Sequence, residues 1–383
     1  MKLTTNEFQR LANSPDKNEI VNVLQELIRF KTVNPPGNES ECAGYVVDYL
    51  RDAGATVATF EPEKGRTSVV ATIRGSERSP SLLLNGHMDV VAAGEDWTID
   101  PFEGVVQDGK VIGRGAADQK SGIAAAMVAA KAILESDVKL KGDLIVEAVA
   151  DEESLGPLGT RYLLNKGIKA DMAINTEPTN LRIEVAQRGV LWLEVKTKGR
   201  AAHGGRPWVG ISSIYQMVDF LTRIKKLERD LSSKKHPLVA SPTINVGTIE
   251  GGMRINVVPS SCTVKVDRRL IPGETSNDAL SEIRTVLEQA SEADTNFKAE
   301  LKVLLSMDPF ETPKDHPMVT ALQEATMFVS GTPAEIAGEP IYFEVTRLID
   351  KPTSTSLDVV HHEIERKLRR DHLTSMSNSK LSV

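Results

Sequence analysis

Apolar positions recur at helical spacing from Glu19 onward, at Ile20, Val23, Leu24, Leu27 and Ile28, and the pattern stops before Asn34-Pro35-Pro36-Gly37, which cannot continue a helix. A second helix is predicted over 40–51, turning Tyr45, Val46, Tyr49 and Leu50 inward, with Gly54 as its left-handed stop. Strands are predicted over 56–60, 68–73 and 81–85, the last an apolar run that ends abruptly at Gly86-His87-Met88-Asp89. A glycine-rich turn over 113–118 leads into a small-residue helix over 121–134, whose alanines permit close packing on a sheet. The next strand, 143–150, ends in Asp151-Glu152-Glu153. After a helix over 160–166, a strand over 171–175 ends in Thr176-Glu177-Pro178.

Strands alternating with helices predict an α/β fold, a mostly parallel sheet covered by helices. From Leu181 the pattern changes to long alternating segments over 182–186, 190–196, 243–249 and 261–268, with helices over 211–226 and 277–290. These features predict a smaller α+β domain over 181–309, inserted into a catalytic domain formed by 1–180 and 310–383. A helix over 316–329 leads the chain back to the first domain. An exposed strand edge or helix face in the insertion is a natural dimer surface.

At 383 residues the chain exceeds the size at which one core usually stops growing, which supports two domains. Its charge balance, 46 Lys+Arg against 53 Asp+Glu, is mildly acidic and carries no basic block before the C-terminal end, which argues against nucleic acid as a partner. A small charged metabolite fits better. Cys42 and Cys262 are far apart and belong to no C-x-x-C, so neither a disulfide framework nor a thiolate zinc site is indicated. The polar N-terminus and the absence of any run of roughly 18 apolar residues lead to the expectation of a cytoplasmic protein without a membrane partner.

The chemistry gathers beyond the ends of the predicted strands. His87, Asp118, the Glu152-Glu153 pair and Glu177 all lie there or in loops feeding helices, at the edge where open α/β sheets bind ligands. Taken singly, each is an ordinary loop acid, helix cap or strand-end histidine. Together, an imidazole and carboxylates without cysteine suit zinc, cobalt or manganese. Asp118 is placed to bridge paired ions, and Asp89 to hold the second nitrogen of His87. In Glu152-Glu153, neighbours on an irregular segment point differently, so one can bind metal while the other acts as general base.

These residues also carry a resemblance. The stretches Asn85-Gly86-His87-Met88-Asp89-Val90, Trp97-Thr98-Ile99-Asp100-Pro101-Phe102, Gly113-Arg114-Gly115 through Asp118-Gln119-Lys120, Asp151-Glu152-Glu153 and Thr176-Glu177-Pro178 resemble, in order, the acetylornithine deacetylase / succinyl-diaminopimelate desuccinylase / carboxypeptidase G family of dinuclear zinc hydrolases. The resemblance implies that His87 and Glu177 hold one metal, that Glu153 holds the other, and that Asp118 bridges them. It implies that Asp89 orients His87 and that Glu152 is the base. It further implies that His203, in Ala202-His203-Gly204-Gly205, stabilises the oxyanion, often across a dimer interface, and that Arg188, Asn256 and Arg269 bind a substrate carboxylate. The implied protein is a homodimer with a ferredoxin-like inserted dimerisation domain and two divalent ions. It removes an acyl group from an N-acyl amino acid or related metabolite, or else cleaves dipeptides or C-terminal residues.

The pattern then breaks. The family supplies a fifth ligand, a histidine in a glycine-rich loop after Gly-Glu-Pro. Here Gly338-Glu339-Pro340 is followed by no glycine through Val383, where about three are expected at typical usage. The tail is basic around Arg366-Lys367-Leu368-Arg369-Arg370. His361 falls on an apolar helical stripe with Leu357, Ile364 and Leu368, His362 beside it in solvent, and His372 offers no better candidate. The expectation is an atypical segment over 341–383 that leaves the Glu153 metal short of a protein ligand, and with it a catalytically impaired homologue as the competing reading.

Overall fold

The computed structural model describes residue 11 and residues 14–338 apart from 78 and 96. Helix α1 (Lys17–Arg29) starts where the Asp16 carboxylate accepts the Asn18 N–H at 2.9 Å, and it buries Val23, Leu24, Leu27 and Ile28. Helix α2 (Ser40–Asp52) ends as expected near Gly54, which takes φ +100°. Strands β1 (Thr56–Phe60), β2 (Ser68–Ile73) and β3 (Leu82–His87) come next, then a small hairpin of β4 (Val105–Gln107) and β5 (Lys110–Ile112). Helix α3 (Lys120–Leu134) crosses to β6 (Leu144–Val149), and the short α4 (Thr160–Asn165) leads to β7 (Met172–Asn175).

These strands form a sheet in the order β1-β2-β6-β3-β7. Only the β3–β6 and β3–β7 pairs are parallel; β1–β2 and β2–β6 are antiparallel. The expected mostly parallel sheet is therefore mixed among the described residues. The short loop 61–67 between β1 and β2 can only reverse the chain, whereas the parallel step from β3 to β6 needs the crossover that α3 provides. Alternation sets the two faces. Ala71, Val146 and Ala148 pack with Leu27, Val46 and Met127 of the first three helices, while Val70, Ile145 and Val149 pack with Leu163 of α4. Every residue of β6 is buried, as befits a central strand covered on both sides.

The second half holds β8 (Ile183–Gln187), β9 (Gly189–Lys198), β10 (Ala202–His203), α5 (Ser213–Ser232), β11 (Thr243–Gly251), β12 (Val257–Val258), β13 (Ser261–Leu270), α6 (Ser276–Ala293) and β14 (Ala299–Met307). An antiparallel sheet in the order β11-β13-β9-β14 packs Leu193 and Val264 against Phe220 of α5 and Ile283 of α6, a core of its own. Strand β14 breaks the expected pattern because its register on β9 shifts between Val303 and Leu305, so the alternation is lost. Strand β15 (Phe310–Glu311), helix α7 (Pro317–Ser330) and strand β16 (Ile336–Gly338) close the described chain, with β15 and β16 flanking β8. Cys42 and Cys262 are buried and unpaired. No helix among the described residues is long and apolar enough to cross a membrane. The expected atypical segment 341–383, with His361, His362 and His372, lies outside the described residues.

Candidate metal centre

The parallel strands deliver the site. His87 is the last residue of β3 and pairs in register with Val149 of β6; Asn85 pairs with Asn175 of β7. The segments leaving these strands therefore emerge side by side, with Glu152 and Glu153 after β6, Glu177 after β7, and Asp118 at the mouth of α3. The His87 ring is 1% exposed, with Nε2 at 3.0 Å from Asp118 Oδ1 and 3.6 Å from both Glu152 Oε2 and Glu177 Oε1. Donor atoms of His87, Glu152 and Glu177 fall within 4.8 Å of one another, as do those of His87, Asp118 and Glu153.

The ring is oriented by Asp89, but chiefly through its main chain. Nδ1 lies 2.8 Å from the Asp89 carbonyl oxygen and 3.6 Å from its carboxylate Oδ1. With Nδ1–H given to that carbonyl, Nε2 is the ring atom turned to the acids. The fully buried Asp89 carboxylate has a second task that sequence reasoning missed. It accepts the backbone N–H of Glu152 at 3.1 Å and of Glu153 at 3.0 Å, and the Asn34 side-chain amide at 2.7 Å.

Gln119 was also missed. It is buried, its Oε1 accepts the His87 N–H at 2.6 Å, and its Nε2 donates to Asn175 Oδ1 at 3.1 Å, tying β3 to β7 at the site. The adjacent Lys120 is buried too, with Nζ donating to the Leu27 and Phe30 carbonyls, each at 2.8 Å, so the start of α3 is anchored on the end of α1. A polar residue between Asp118 and Lys120 is the available signal for Gln119, but nothing in the sequence pattern marks it as buried.

Electrostatically the cluster sets several carboxylates around one imidazole. Burial is the largest influence on the acids: it pushes Glu153 up to about 7, helped by the Asp118 charge, and Glu177 up to about 8 against the pull of His87. Glu152 is raised by burial as well. Burial disfavours a charged His87, but hydrogen bonds to Asp118 and Asp89 outweigh it and lift the ring to about 11. Carboxylates crowded around a single imidazole that cling to protons are the donor set a divalent cation satisfies, so the residues fit a metal.

His203, Arg188, Asn256 and Arg269 belong to none of these metal-ligand groups among the described residues. They stand in the second half of the chain, on three different sheets and their loops. Exposed His203 lies on β10, held by the Gly205 N–H to its Nδ1 at 3.0 Å, and the next residue's N–H donates to the Asn256 carbonyl at 2.8 Å. Arg188 joins β8 to β9. On β13 the neighbouring Arg268 points into the core, whereas Arg269 is half-buried and its Nε donates to Asp267 Oδ2 at 3.1 Å.

Residues 83–350 match the peptidase family M20/M25/M40, and the chain belongs to that family. It is 31% identical to the N-formyl-4-amino-5-aminomethyl-2-methylpyrimidine deformylase of Bacillus subtilis over 73% of this chain and 69% of that one. It is 32% identical to an acetylornithine deacetylase of Myxococcus xanthus over 75% of this chain and 73% of that one. Among solved structures, an aminopeptidase of Bacillus cereus shares the fold with a TM-score of 0.68 at 20% identity, over 86% of each chain. The protein is a hydrolase acting on amide bonds.

Proposed function

We propose that the chain removes an acyl group from an N-acyl amino acid or a related small amide, with His87, Asp118, Glu153 and Glu177 holding divalent metal and Glu152 as the general base. The observation that carries this reading is the convergence of one imidazole nitrogen and the surrounding carboxylates at the sheet edge, with Nε2 only 3.0 to 3.6 Å from Asp118, Glu152 and Glu177. A divalent ion held there, zinc first and cobalt or manganese as alternatives, supplies Lewis acidity that polarises a carbonyl and lowers the pKa of water towards about 7. Glu152 takes the proton of the attacking water and returns it to the leaving nitrogen, so base and acid are one residue at different moments. Asp89 keeps the Glu152-Glu153 backbone in place while this happens. His203 donates to the developing oxyanion, and Arg188, Asn256 and Arg269 receive the substrate carboxylate.

The relatives named for deformylation and deacetylation favour an acyl substrate over a peptide. Residues 181–309 are proposed as the inserted lid and homodimer surface. In support, β11 is an edge strand, and Ile249 on it and Met253 and Ile255 just after it are exposed. A second reading, a weakened enzyme, draws on one geometric fact. Both potential ligand groups use His87, and with Nδ1 engaged its single Nε2 lone pair serves one ion only. Among the described residues the other ion is left with carboxylates alone.

The test is hydrolysis of a panel of N-formyl, N-acetyl and N-succinyl amino acids and of dipeptides, each with added zinc, manganese or cobalt. Metal-dependent turnover of the N-acyl compounds is expected. Faster turnover of dipeptides would replace the deacylase reading with a peptidase, and no turnover of any member would favour the weakened homologue.

A further inference from the structure

Behind the metal centre lies a buried ion network that the proposed chemistry does not use. Arg66 donates Nε to Glu39 Oε2 at 2.8 Å and Nη2 to Glu39 Oε1 at 2.9 Å, and Nη2 also reaches Asp151 Oδ1 at 3.0 Å. The side chains are 11% exposed for Arg66, 0% for Glu39 and 5% for Asp151. A third nitrogen, Nη1, donates to the Pro36 carbonyl at 3.2 Å. The fit is tight: a Cβ on Gly37, which sits at φ +76°, would fall 2.3 Å from the Arg66 guanidinium carbon. The Asn34-Pro35-Pro36-Gly37 turn that stops the first helix is thus the cradle of the guanidinium.

Asp151 is the residue before the Glu152-Glu153 pair, and it stands at φ +66°, a conformation that needs support in a residue with a side chain. Every polar atom of its side chain is engaged. Oδ1 accepts from Arg66, from Ser154 Oγ at 2.6 Å and from Asn34 Nδ2 at 3.3 Å, and Oδ2 accepts the Leu158 N–H at 3.2 Å. Asn34 also donates to Asp89 Oδ2 at 2.7 Å. One connected line therefore runs from Glu39 through Arg66, Asp151 and Asn34 to Asp89, and from Asp89 to the amides of Glu152 and Glu153. The turn that aims these two carboxylates is gripped from both sides: Asp89 holds its amides and Arg66 holds the residue that leads into it.

We infer that Arg66 is a positioning residue of the hydrolytic site, fixing through Asp151 and Asn34 the turn that presents Glu152 and Glu153 to metal and water. The inference rests on the metal-hydrolase reading above. Its guanidinium is suited to the task because the planar fork holds Glu39 by two parallel hydrogen bonds while Nη2 also reaches Asp151, a bidentate grip that a lysine head does not offer.

The test compares wild type, Arg66→Met, Arg66→Lys and Glu152→Gln for kcat, KM and zinc affinity of the metal-free protein, each measured well below its own unfolding midpoint. In Arg66→Met, kcat and zinc affinity are expected to fall about 10- to 100-fold, as when the supports of metal ligands are removed elsewhere. KM is expected to stay within about twofold, because substrate contacts are untouched. Arg66→Lys should recover part of both losses. If Arg66→Met does not fold, Asp151→Asn takes its place with the same expectation. A folded variant that loses only its unfolding midpoint, with wild-type kcat and zinc affinity, overturns the inference. If Glu152→Gln turns over like wild type, or wild type turns over nothing, the hydrolase reading fails instead, and zinc affinity still decides the role of Arg66.

Discussion

The carboxylate of Asp89 accepts the backbone N–H of Glu153 at 3.0 Å, across 64 residues of sequence. Its other oxygen takes the Glu152 N–H, so one buried side chain holds both residues of the dipeptide proposed to supply ligand and base. Asp89→Ala leaves these two amides without their acceptor, at about 1–3 kcal/mol for each group left buried and unpaired, and removes the shortest hydrogen bond of the Asn34 side chain. The expected outcome is a strongly destabilised protein. Asp89→Asn keeps one acceptor oxygen and should fold, with kcat and zinc affinity lowered about 10- to 100-fold. Wild-type kinetics in Asp89→Asn would mean that the dipeptide holds its place without this carboxylate.

Glu152 and Glu177 both stand 3.6 Å from His87 Nε2, so distance alone does not separate base from ligand. Substitution does. Glu152→Gln is expected to lower kcat by about 10²- to 10⁴-fold, the range for loss of a general base, while zinc affinity changes little. Glu177→Gln is expected to lower zinc affinity first. A collapse of zinc affinity in Glu152→Gln would reassign that residue as a ligand.

Removal of metal should change the pH dependence of stability. In the metal-free protein Glu153 and Glu177 are raised from 4.5 to about 7 and about 8, chiefly by burial, and His87 from 6.5 to about 11 by the hydrogen bonds that outweigh its burial. Each folded-state value lies above the unfolded one. The stability linked to each is therefore complete below the unfolded value and lost as pH rises towards the folded value. Buried Lys120, lowered by burial to about 8, carries the opposite slope only above that pH. Between about pH 5 and 8 the unfolding midpoint of the metal-free protein should fall, and the gain on adding zinc should widen, because metal replaces the bound protons. Calorimetric unfolding across this window, with and without zinc, checks the sign; a metal-free midpoint that climbs steadily would contradict it.

Much of this centre was legible in the sequence because strand ends and chemistry coincide. An apolar run stopping at His87, and two more strands stopping before Glu152-Glu153 and Glu177, place the candidate ligands on one edge by topology alone. The supporting layer was not legible. Asn34 reads as a residue before prolines, Arg66 as a loop cation and Gln119 as motif filler, since each acts through partners distant in the chain. Strand β14 escaped because the shift after Val303 breaks its alternation. The mixed character of the first sheet escaped because alternating strands and helices do not reveal that β2 runs antiparallel to β6.

The most direct test is zinc binding to the metal-free protein, measured by calorimetry in wild type and His87→Ala. Both candidate ligand groups among the described residues share His87, whose one Nε2 lone pair can serve a single ion. The predicted result is one tightly bound ion per chain with a far weaker second, proton release on binding, and loss of the tight step in His87→Ala. Two equally tight ions per chain, or a tight step that survives in His87→Ala, would contradict it.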